Sequence, residues 1–162
     1  MRYIRDSICP MTYILGSRCS DGVVLVADRR FTEENDAGYI LGDKIYGDIR
    51  NIVIGFSGSR PTFELFKTKL RDTVNEKYEN NLDGVPKDKI VLLVSKLMNE
   101  VHSQYRGEEL KFDSLVALGG KESPARLYYF YPDGRPLPVE TCRAIGAEHL
   151  GDISYTIFGE IL

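Results

Sequence analysis

Four residues near the start of the sequence, Thr12, Asp28, Arg30 and Lys44, are of types that could support nucleophilic catalysis. A threonine hydroxyl is a poor nucleophile at neutral pH and needs a base within hydrogen-bond reach. If Thr12 became the first residue, its own α-amine, with an unperturbed pKa of about 7.7–8.0, could serve as that base. A lysine ammonium beside the hydroxyl would favour the alkoxide, an aspartate would hold that lysine, and an arginine would brace the aspartate. Such a set would carry out acyl transfer, provided that the fold brings the four side chains together.

Each of the four residues also has an ordinary structural explanation. A threonine that opens a strand follows β-propensity, and charged groups at strand ends mostly face water. Lys44 follows Asp43, which fits a surface ion pair that contributes little to stability. The functional interpretation therefore depends on the spacing of the four residues taken together, and not on any one of them alone.

A β-hairpin would bring the first two of these residues together. The apolar, β-branched runs Tyr13 to Arg18 and Val23 to Asp28 predict two strands, and Asp21-Gly22 between them is a typical hairpin turn. In an antiparallel hairpin the start of the first strand lies beside the end of the second. Asp28 is therefore expected next to Thr12.

The rest of the sequence predicts two helices and four more strands. The first helix begins near Ser59, a good N-cap with Pro61 in the first turn, and the second runs from about Lys87 to Tyr105. A polar connection around Asp83-Gly84 joins them. The further strands are Ile52 to Phe56, Ser114 to Leu118, Arg126 to Tyr131 and Thr141 to Ile145.

Strands that are interrupted by two adjacent helices favour two packed sheets with helices outside, because both faces of each sheet must be covered by another element. Hairpin turns at Asp21-Gly22 and Asp133-Gly134 make both sheets mainly antiparallel. The expected fold class is α+β, a four-layer αββα sandwich of two mainly antiparallel sheets with flanking helices. Glu148 to Leu162 carries apolar residues at near-helical spacing and would begin a third helix. We expect a single domain over residues 12–162, after an N-terminal extension of residues 1–11 that could be a propeptide.

The stretch from Thr12 to Lys44 resembles the N-terminal-nucleophile (Ntn) hydrolases of the proteasome type, whose mature chains begin with a catalytic threonine. It aligns without a gap through Gly16, the turn Asp21-Gly22 and the run V-V-L-V-A-D-R-R. The resemblance implies a catalytic set of one nucleophile and three supporting residues: Thr12, Asp28, Arg30 and Lys44.

The resemblance continues through most of the chain. The segment Ile54-Gly55-Phe56-Ser57-Gly58 looks like the family segment whose first glycine, here Gly55, donates an amide to the oxyanion hole. Both helices, Phe112 to Gly120 and Ala144 to Gly146 also follow the family. The resemblance implies the Ntn hydrolase fold, a peptide or unfolded-protein substrate and a homo-oligomeric ring. It also admits other proteasome-like subunits or an ATPase as partners.

Three features depart from the family pattern and keep a second hypothesis open. Met11 precedes Thr12 where catalytic chains usually carry glycine, although translation from Met11 followed by methionine removal would also expose Thr12. The family's usual serine near the threonine falls on Ala147, and the sequence stops at Leu162, before an Asp-x-x-Ser-Gly motif. We therefore expect the domain to end before the family's C-terminal part. A threonine-type peptidase is the favoured hypothesis, and an inactive ring or scaffold subunit is the alternative.

Composition argues against several other classes of protein. The formal net charge is −3 and no basic run is present, which disfavours nucleic acid binding. No segment is apolar over the length that a membrane-spanning helix needs. Three cysteines without a C-x-x-C pair argue against disulfides and zinc and fit a reducing cytoplasm. Two histidines and scattered carboxylates show no metal spacing, and no cofactor is expected.

Two other candidates have a stronger structural explanation. The segment from Gly55 to Ser59 approaches the G-x-S-x-G nucleophile elbow, but it ends in serine and lacks the element order of that hydrolase class. His102 is expected to be a cation at the end of the second helix, and His149 to have a capping or surface role.

Overall fold

A computed structural model describes residues 13–32, 39–105, 107, 110–120 and 124–146. In these ranges the chain forms ten strands and two helices. The elements are β1 (Tyr13–Arg18), β2 (Val23–Ala27), β3 (Arg30–Thr32), β4 (Tyr39–Leu41), β5 (Ile45–Tyr46), β6 (Ile52–Gly58), α1 (Arg60–Tyr78), α2 (Lys87–Gln104), β7 (Phe112–Leu118), β8 (Arg126–Phe130), β9 (Pro136–Val139) and β10 (Cys142–Gly146).

The smaller of the two main sheets has the strand order β10-β1-β2 and is antiparallel throughout. Its β1–β2 hairpin turns at Asp21-Gly22, where the Cys19 N–H donates to the Gly22 carbonyl at 2.8 Å. The register places Ile14 opposite Ala27. The predicted hairpin is therefore present, and the end of β2 lies beside the start of β1.

The larger sheet has the strand order β5-β6-β7-β8-β9 and is also antiparallel. Successive side chains of a strand point to opposite faces, so this sheet contributes to two cores. On one face Leu115, Ala117, Leu127 and Tyr129 pack against Ile14 and Ile145 of the smaller sheet. Gly16 permits this close approach, because a Cβ there would lie 2.9–3.2 Å from the side chains of Leu25, Leu127 and Leu115.

The two helices cover the other face of the larger sheet. Ser59 caps α1, accepting a hydrogen bond from the Thr62 N–H, and Pro61 lies in the first turn. An apolar stripe of α1 is buried at Phe63, Phe66, Leu70 and Val74. In α2, Ile90, Val94, Leu97 and Val101 are buried in the same way. Neither helix in the described part of the chain is long and apolar enough to cross a membrane.

The fold class predicted from the sequence is confirmed: the chain is an α+β sandwich of two antiparallel sheets with flanking helices. The described residues form three of the four expected layers, namely the helix pair and the two sheets. The third helix predicted over Glu148 to Leu162 lies outside the described residues.

Four short strands are present that the sequence did not predict: β3, β4, β5 and β9. The first three have only two or three residues each, too short to show an alternating pattern. In β9 the prolines Pro136 and Pro138 mask the strand signal. Because β9 is an edge strand, its prolines need not donate to a neighbour on the outer side.

Candidate active site

Asp28 follows the last residue of β2. Each of its two carboxylate oxygens accepts a hydrogen bond from a backbone N–H group. The Tyr13 N–H donates to Oδ1 at 2.7 Å, and the Arg30 N–H donates to Oδ2 at 3.1 Å. In return the Asp28 N–H donates to the Tyr13 carbonyl at 3.0 Å. The hairpin therefore holds the Asp28 carboxylate at the first described residue of β1.

Lys44 lies just before β5 and reaches the same carboxylate. Its Nζ is 2.9 Å from Oδ1 and 2.8 Å from Oδ2 of Asp28, and its side chain is 0% exposed. A buried ammonium costs several kcal/mol in lost hydration unless an anion compensates it. The contact between Lys44 and Asp28 that the sequence predicted is therefore present, and it is the charge pair that makes the burial of Lys44 possible.

The pKa of the Asp28 carboxyl reflects these contacts. Partial burial by itself would raise this pKa. The hydrogen bond from Lys44, those from the peptide N–H groups of Tyr13 and Arg30, and the positive charge of Lys44 together outweigh it, so the pKa lies below its ordinary value of 3.8. Asp28 is ionised at neutral pH and can hold a cation.

Phe31, which sequence reasoning did not single out, packs beside this ion pair. Its ring centroid is 5.0 Å from the Lys44 Nζ and 4.9 Å from the Arg60 Cζ. It also stacks on Phe56 at 6.0 Å, and Phe56 stacks on Phe63 at 3.7 Å. An aromatic residue directly after Arg30 carries no signal of this role in the sequence, since its neighbours Lys44, Phe56 and Arg60 lie far from it along the chain.

Arg30 contributes to the site through its backbone, since its peptide N–H holds Asp28 Oδ2. The sequence predicted that its guanidinium would brace the carboxylate. The adjacent Arg29 forms an exposed ion pair with Asp43 at 3.2 Å. The bracing role of the Arg30 side chain stays a prediction.

Gly55 lies in the middle of β6, where a Cβ would come 2.9 Å from Ile14 Cγ2. It thus allows the larger sheet to pack against the start of β1. The next residue, Phe56, donates its N–H to the Lys44 carbonyl at 3.1 Å. Gly55 itself lies opposite Leu115 of β7 in the register of the larger sheet. The predicted oxyanion role of the Gly55 amide stays a prediction.

Thr12, the predicted nucleophile, lies outside the described residues, as do Met11, Ala147 and His149. The described geometry begins with Tyr13, the next residue in the chain. It places a buried ammonium and an ionised carboxylate there, which is the environment that a hydroxyl nucleophile following Met11 would require for electrostatic activation. Among the described residues, no three His, Cys, Asp or Glu side chains come together as a metal site.

The profile of the proteasome subunit family matches residues 12–154. This range is most of the chain and contains both sheets, both helices and the Asp28–Lys44 pair. The chain therefore belongs to the proteasome subunit family.

Among solved structures, the chain is similar to Anbu proteins, one of which is described as an ancestral β-subunit. "Anbu (ancestral beta-subunit) from Yersinia bercovieri" is 19% identical with a TM-score of 0.74, and the Gly-1 mutant of Anbu from Hyphomicrobium sp. strain MC1 is 16% identical with a TM-score of 0.76. A helical assembly of the Anbu complex from Pseudomonas aeruginosa is 20% identical with a TM-score of 0.71. Each match covers 90% of this chain and 65% of the other. At these identities the likeness establishes the fold, and no curated protein sequence gave a significant match.

Proposed function

We propose that this chain is a threonine-type peptidase that cleaves peptide bonds through an acyl-enzyme on Thr12. The observation that carries the proposal is the buried Lys44 ammonium, held by Asp28 at the residue that follows Thr12. Burying a lysine and an aspartate together contributes little net stability, so the pair is better explained by chemistry than by folding. Membership of the proteasome subunit family supports the same reaction class.

In the proposed mechanism Thr12 is the first residue of the mature chain. Its hydroxyl oxygen attacks the substrate carbonyl carbon while the hydroxyl proton passes to the α-amine of the same residue. Lys44 stabilises the developing negative charge at that oxygen, and Asp28 positions Lys44. The protonated α-amine then donates its proton to the leaving nitrogen as the peptide C–N bond breaks. Water subsequently attacks the ester, releases the acid product and restores the hydroxyl.

The substrate and partners follow from the same proposal. A peptide or unfolded-protein segment is the expected substrate, and the cytoplasm is the expected compartment. A ring of identical chains is the expected assembly, with other proteasome-like subunits or an ATPase as further partners. The helical assembly of the Anbu complex from Pseudomonas aeruginosa supports association of copies, although the present chain spans 65% of that relative. Light scattering that shows a monodisperse monomer at micromolar concentration would count against the ring.

The hydrolase proposal is tested by comparing a protein that begins at Thr12 with one that begins at Met1. Only the first should cleave short fluorogenic peptides, because a peptide-bonded nitrogen has lost its basic lone pair to amide resonance. Thr12→Ala should abolish cleavage and Thr12→Ser should retain part of it. Lys44→Ala should lose on the order of a hundredfold in kcat, as for other preorganised electrostatic stabilisers.

The alternative proposal is a catalytically inactive ring or scaffold subunit. Met11, in place of the glycine that the resemblance implies, and Ala147, in place of serine, favour it. This alternative predicts that the Thr12-first protein folds and assembles, cleaves no peptide in a broad panel, and takes up no threonine-directed covalent inhibitor. That set of results would exclude the hydrolase proposal.

A further inference from the structure

The strand β2 has a paired neighbour on only one side in the described part of the chain. The strand order β10-β1-β2 places it at the edge of the smaller sheet. An edge strand presents a row of backbone N–H and C=O groups that can pair with another strand. The outer edge of β2 is therefore a surface at which a further strand can add to the smaller sheet.

Alternate residues of β2 direct their backbone groups towards this edge. The Asp28 N–H donates to the Tyr13 carbonyl at 3.0 Å, which makes these two residues a hydrogen-bonded pair of the β1–β2 ladder. Hydrogen-bonded pairs alternate along an antiparallel ladder, so Val24 and Val26 also bond to β1. The residues whose N–H and C=O groups point to the open edge are Val23, Leu25 and Ala27.

The sequence of β2 lacks the features by which edge strands usually avoid pairing. Those features are charged side chains, proline and bulges, and Val-Val-Leu-Val-Ala contains no charged residue and no proline. The edge strand β9, in contrast, carries Pro136 and Pro138. The solvent face of β2 is apolar as well, since Val24 is 51% exposed and Val26 is 56% exposed. Both the backbone and the side chains of β2 thus favour pairing with another strand.

The strand is complementary to a second copy of itself. In an antiparallel pair of two β2 strands centred on Leu25, the open backbone groups of Val23 in one copy face those of Ala27 in the other. The same register places Val24 of each copy opposite Val26 of the other copy on the solvent face. Cross-strand pairs of β-branched side chains stabilise a sheet, so the exposed valines would cover one another.

The charges beyond the two ends of β2 fit the same register. Asp21 lies four residues before Leu25 and Arg29 lies four residues after it, and both are exposed. An antiparallel pair centred on Leu25 therefore brings Asp21 of each copy towards Arg29 of the other. Arg29 contacts Asp43 through its Nε, and its guanidinium has further N–H donors for a second carboxylate. Opposite charges thus meet at both ends of an uncharged pair of strands.

We propose that the open edge of β2 is a homodimerisation surface, at which two copies of the chain pair antiparallel about Leu25. The two smaller sheets then form one continuous sheet across the dimer. Each copy uses the same surface, so the contact is isologous and differs from the head-to-tail contact that closes a ring. The proposal does not rest on the peptidase activity.

Two variants of opposite charge at the exposed valines test the pairing. Val24→Lys with Val26→Lys places lysine opposite lysine in the proposed register, and Val24→Glu with Val26→Glu places glutamate opposite glutamate. Each double variant alone should dimerise on the order of tenfold more weakly than the parent in sedimentation equilibrium, because like charges directly opposite destabilise a strand pair. An equimolar mixture of the two should recover dimerisation as a heterodimer.

The control variant is Leu92→Lys, which changes an exposed apolar residue of α2 and should leave dimerisation unchanged. Far-ultraviolet circular dichroism confirms that each variant is folded. The proposal is wrong if the parent is monomeric at micromolar concentration, if the double variants dimerise like the parent, or if their mixture does not recover. An equal loss in Leu92→Lys would likewise overturn it.

Hydrogen exchange in the full chain locates the contact. The amides of Val23, Leu25 and Ala27 should exchange more slowly as the protein concentration rises. The amides of Val24 and Val26 bond to β1 and should be protected at every concentration. Protection of the first three amides that does not depend on concentration would show that another segment of the same chain occupies the edge. Fast exchange of these amides at every concentration would show that the edge stays open, and either result would contradict the dimer.

Discussion

Two partly buried aspartates, Asp28 and Asp113, have opposite pKa shifts. Asp28 touches the Lys44 ammonium and two peptide N–H groups, and its pKa is lowered in spite of burial. Asp113, in β7, accepts a hydrogen bond from the Tyr129 hydroxyl at 3.1 Å, and burial raises its pKa to about 6. Burial is the largest single influence on both carboxyls. At Asp28 the hydrogen bonds and the charge of Lys44 together outweigh it, and at the more deeply buried Asp113 the opposing contacts do not.

The cation near Asp113 is Arg143, and it acts on that carboxyl in a different way from Lys44 on Asp28. Arg143 stacks on the ring of Tyr129, with its Cζ 4.3 Å from the ring centroid, and acts on Asp113 only through its charge. Lys44 instead places its Nζ within 2.9 Å of both Asp28 oxygens. At Asp113 the charge of Arg143 and the hydrogen bond from Tyr129 do not outweigh the effect of burial on the pKa, whereas the direct contacts of Asp28 do.

The largest effect is expected from Asp28→Asn. This change removes the carboxylate that contacts the buried Lys44 ammonium and should lower the free energy of unfolding by about 3 kcal/mol, as measured by urea denaturation at pH 7. The double variant Asp28→Asn, Lys44→Met should recover most of the loss, because neither charge then remains.

The matched control for this prediction is Asp43→Asn, which removes an exposed ion pair with Arg29. It should cost less than about 0.5 kcal/mol. Equal costs for Asp28→Asn and Asp43→Asn would show that the burial of Lys44 does not depend on Asp28.

Asp113→Asn should act in the opposite direction. The folded-state pKa of about 6 lies above the ordinary value of 3.8, so the folded protein binds the proton more tightly than the unfolded chain. The contribution of the Asp113 carboxyl to the free energy of unfolding is greatest below about pH 4 and falls as the pH rises to about 6. The variant should therefore be more stable than the parent at pH 7.5, by on the order of 2 kcal/mol, and should lose this pH dependence.

Urea denaturation at pH 4.5, 5.5 and 7.5 measures that dependence. Asp28 should show the reverse behaviour, since its lowered pKa gives a contribution that is present above about pH 4 and lost as the pH falls through the folded-state value. A parent protein whose stability does not change between pH 4.5 and 7.5, beyond the slope retained by Asp113→Asn, would contradict the raised pKa of Asp113.

A smaller effect is expected from Tyr129→Phe. The Tyr129 hydroxyl donates to Asp113 and lowers the pKa of that carboxyl, so its removal should raise the pKa above 6. The loss in stability should be about 1 kcal/mol, as for a single hydrogen bond. Carbon-13 NMR of the aspartate carboxyls measures the pKa, and Tyr128→Phe in the same strand is the control. A pKa that falls, or that shifts equally in both variants, would contradict the hydrogen bond.

Local patterns predicted a large part of the fold. The turn Asp21-Gly22 and the strand-like runs on either side were sufficient for the β1–β2 hairpin, and Ser59 with Pro61 was sufficient for the start of α1. Strands of two or three residues were missed because they exist only by pairing with a neighbour. The strand β9 was missed because prolines usually argue against a strand. An edge strand such as β9 nevertheless tolerates them.

The candidate site likewise has one part that local sequence patterns predicted and another part that they did not. The sequence by itself determined that an aspartate ends β2 beside the start of β1, since a hairpin connects residues that are near in the chain. Only the tertiary structure decided that Lys44 is buried against Asp28 and that Phe31 packs beside it. Burial and charge balance depend on contacts between β2, β5, β6 and the helices, and chain segments far apart in sequence make those contacts.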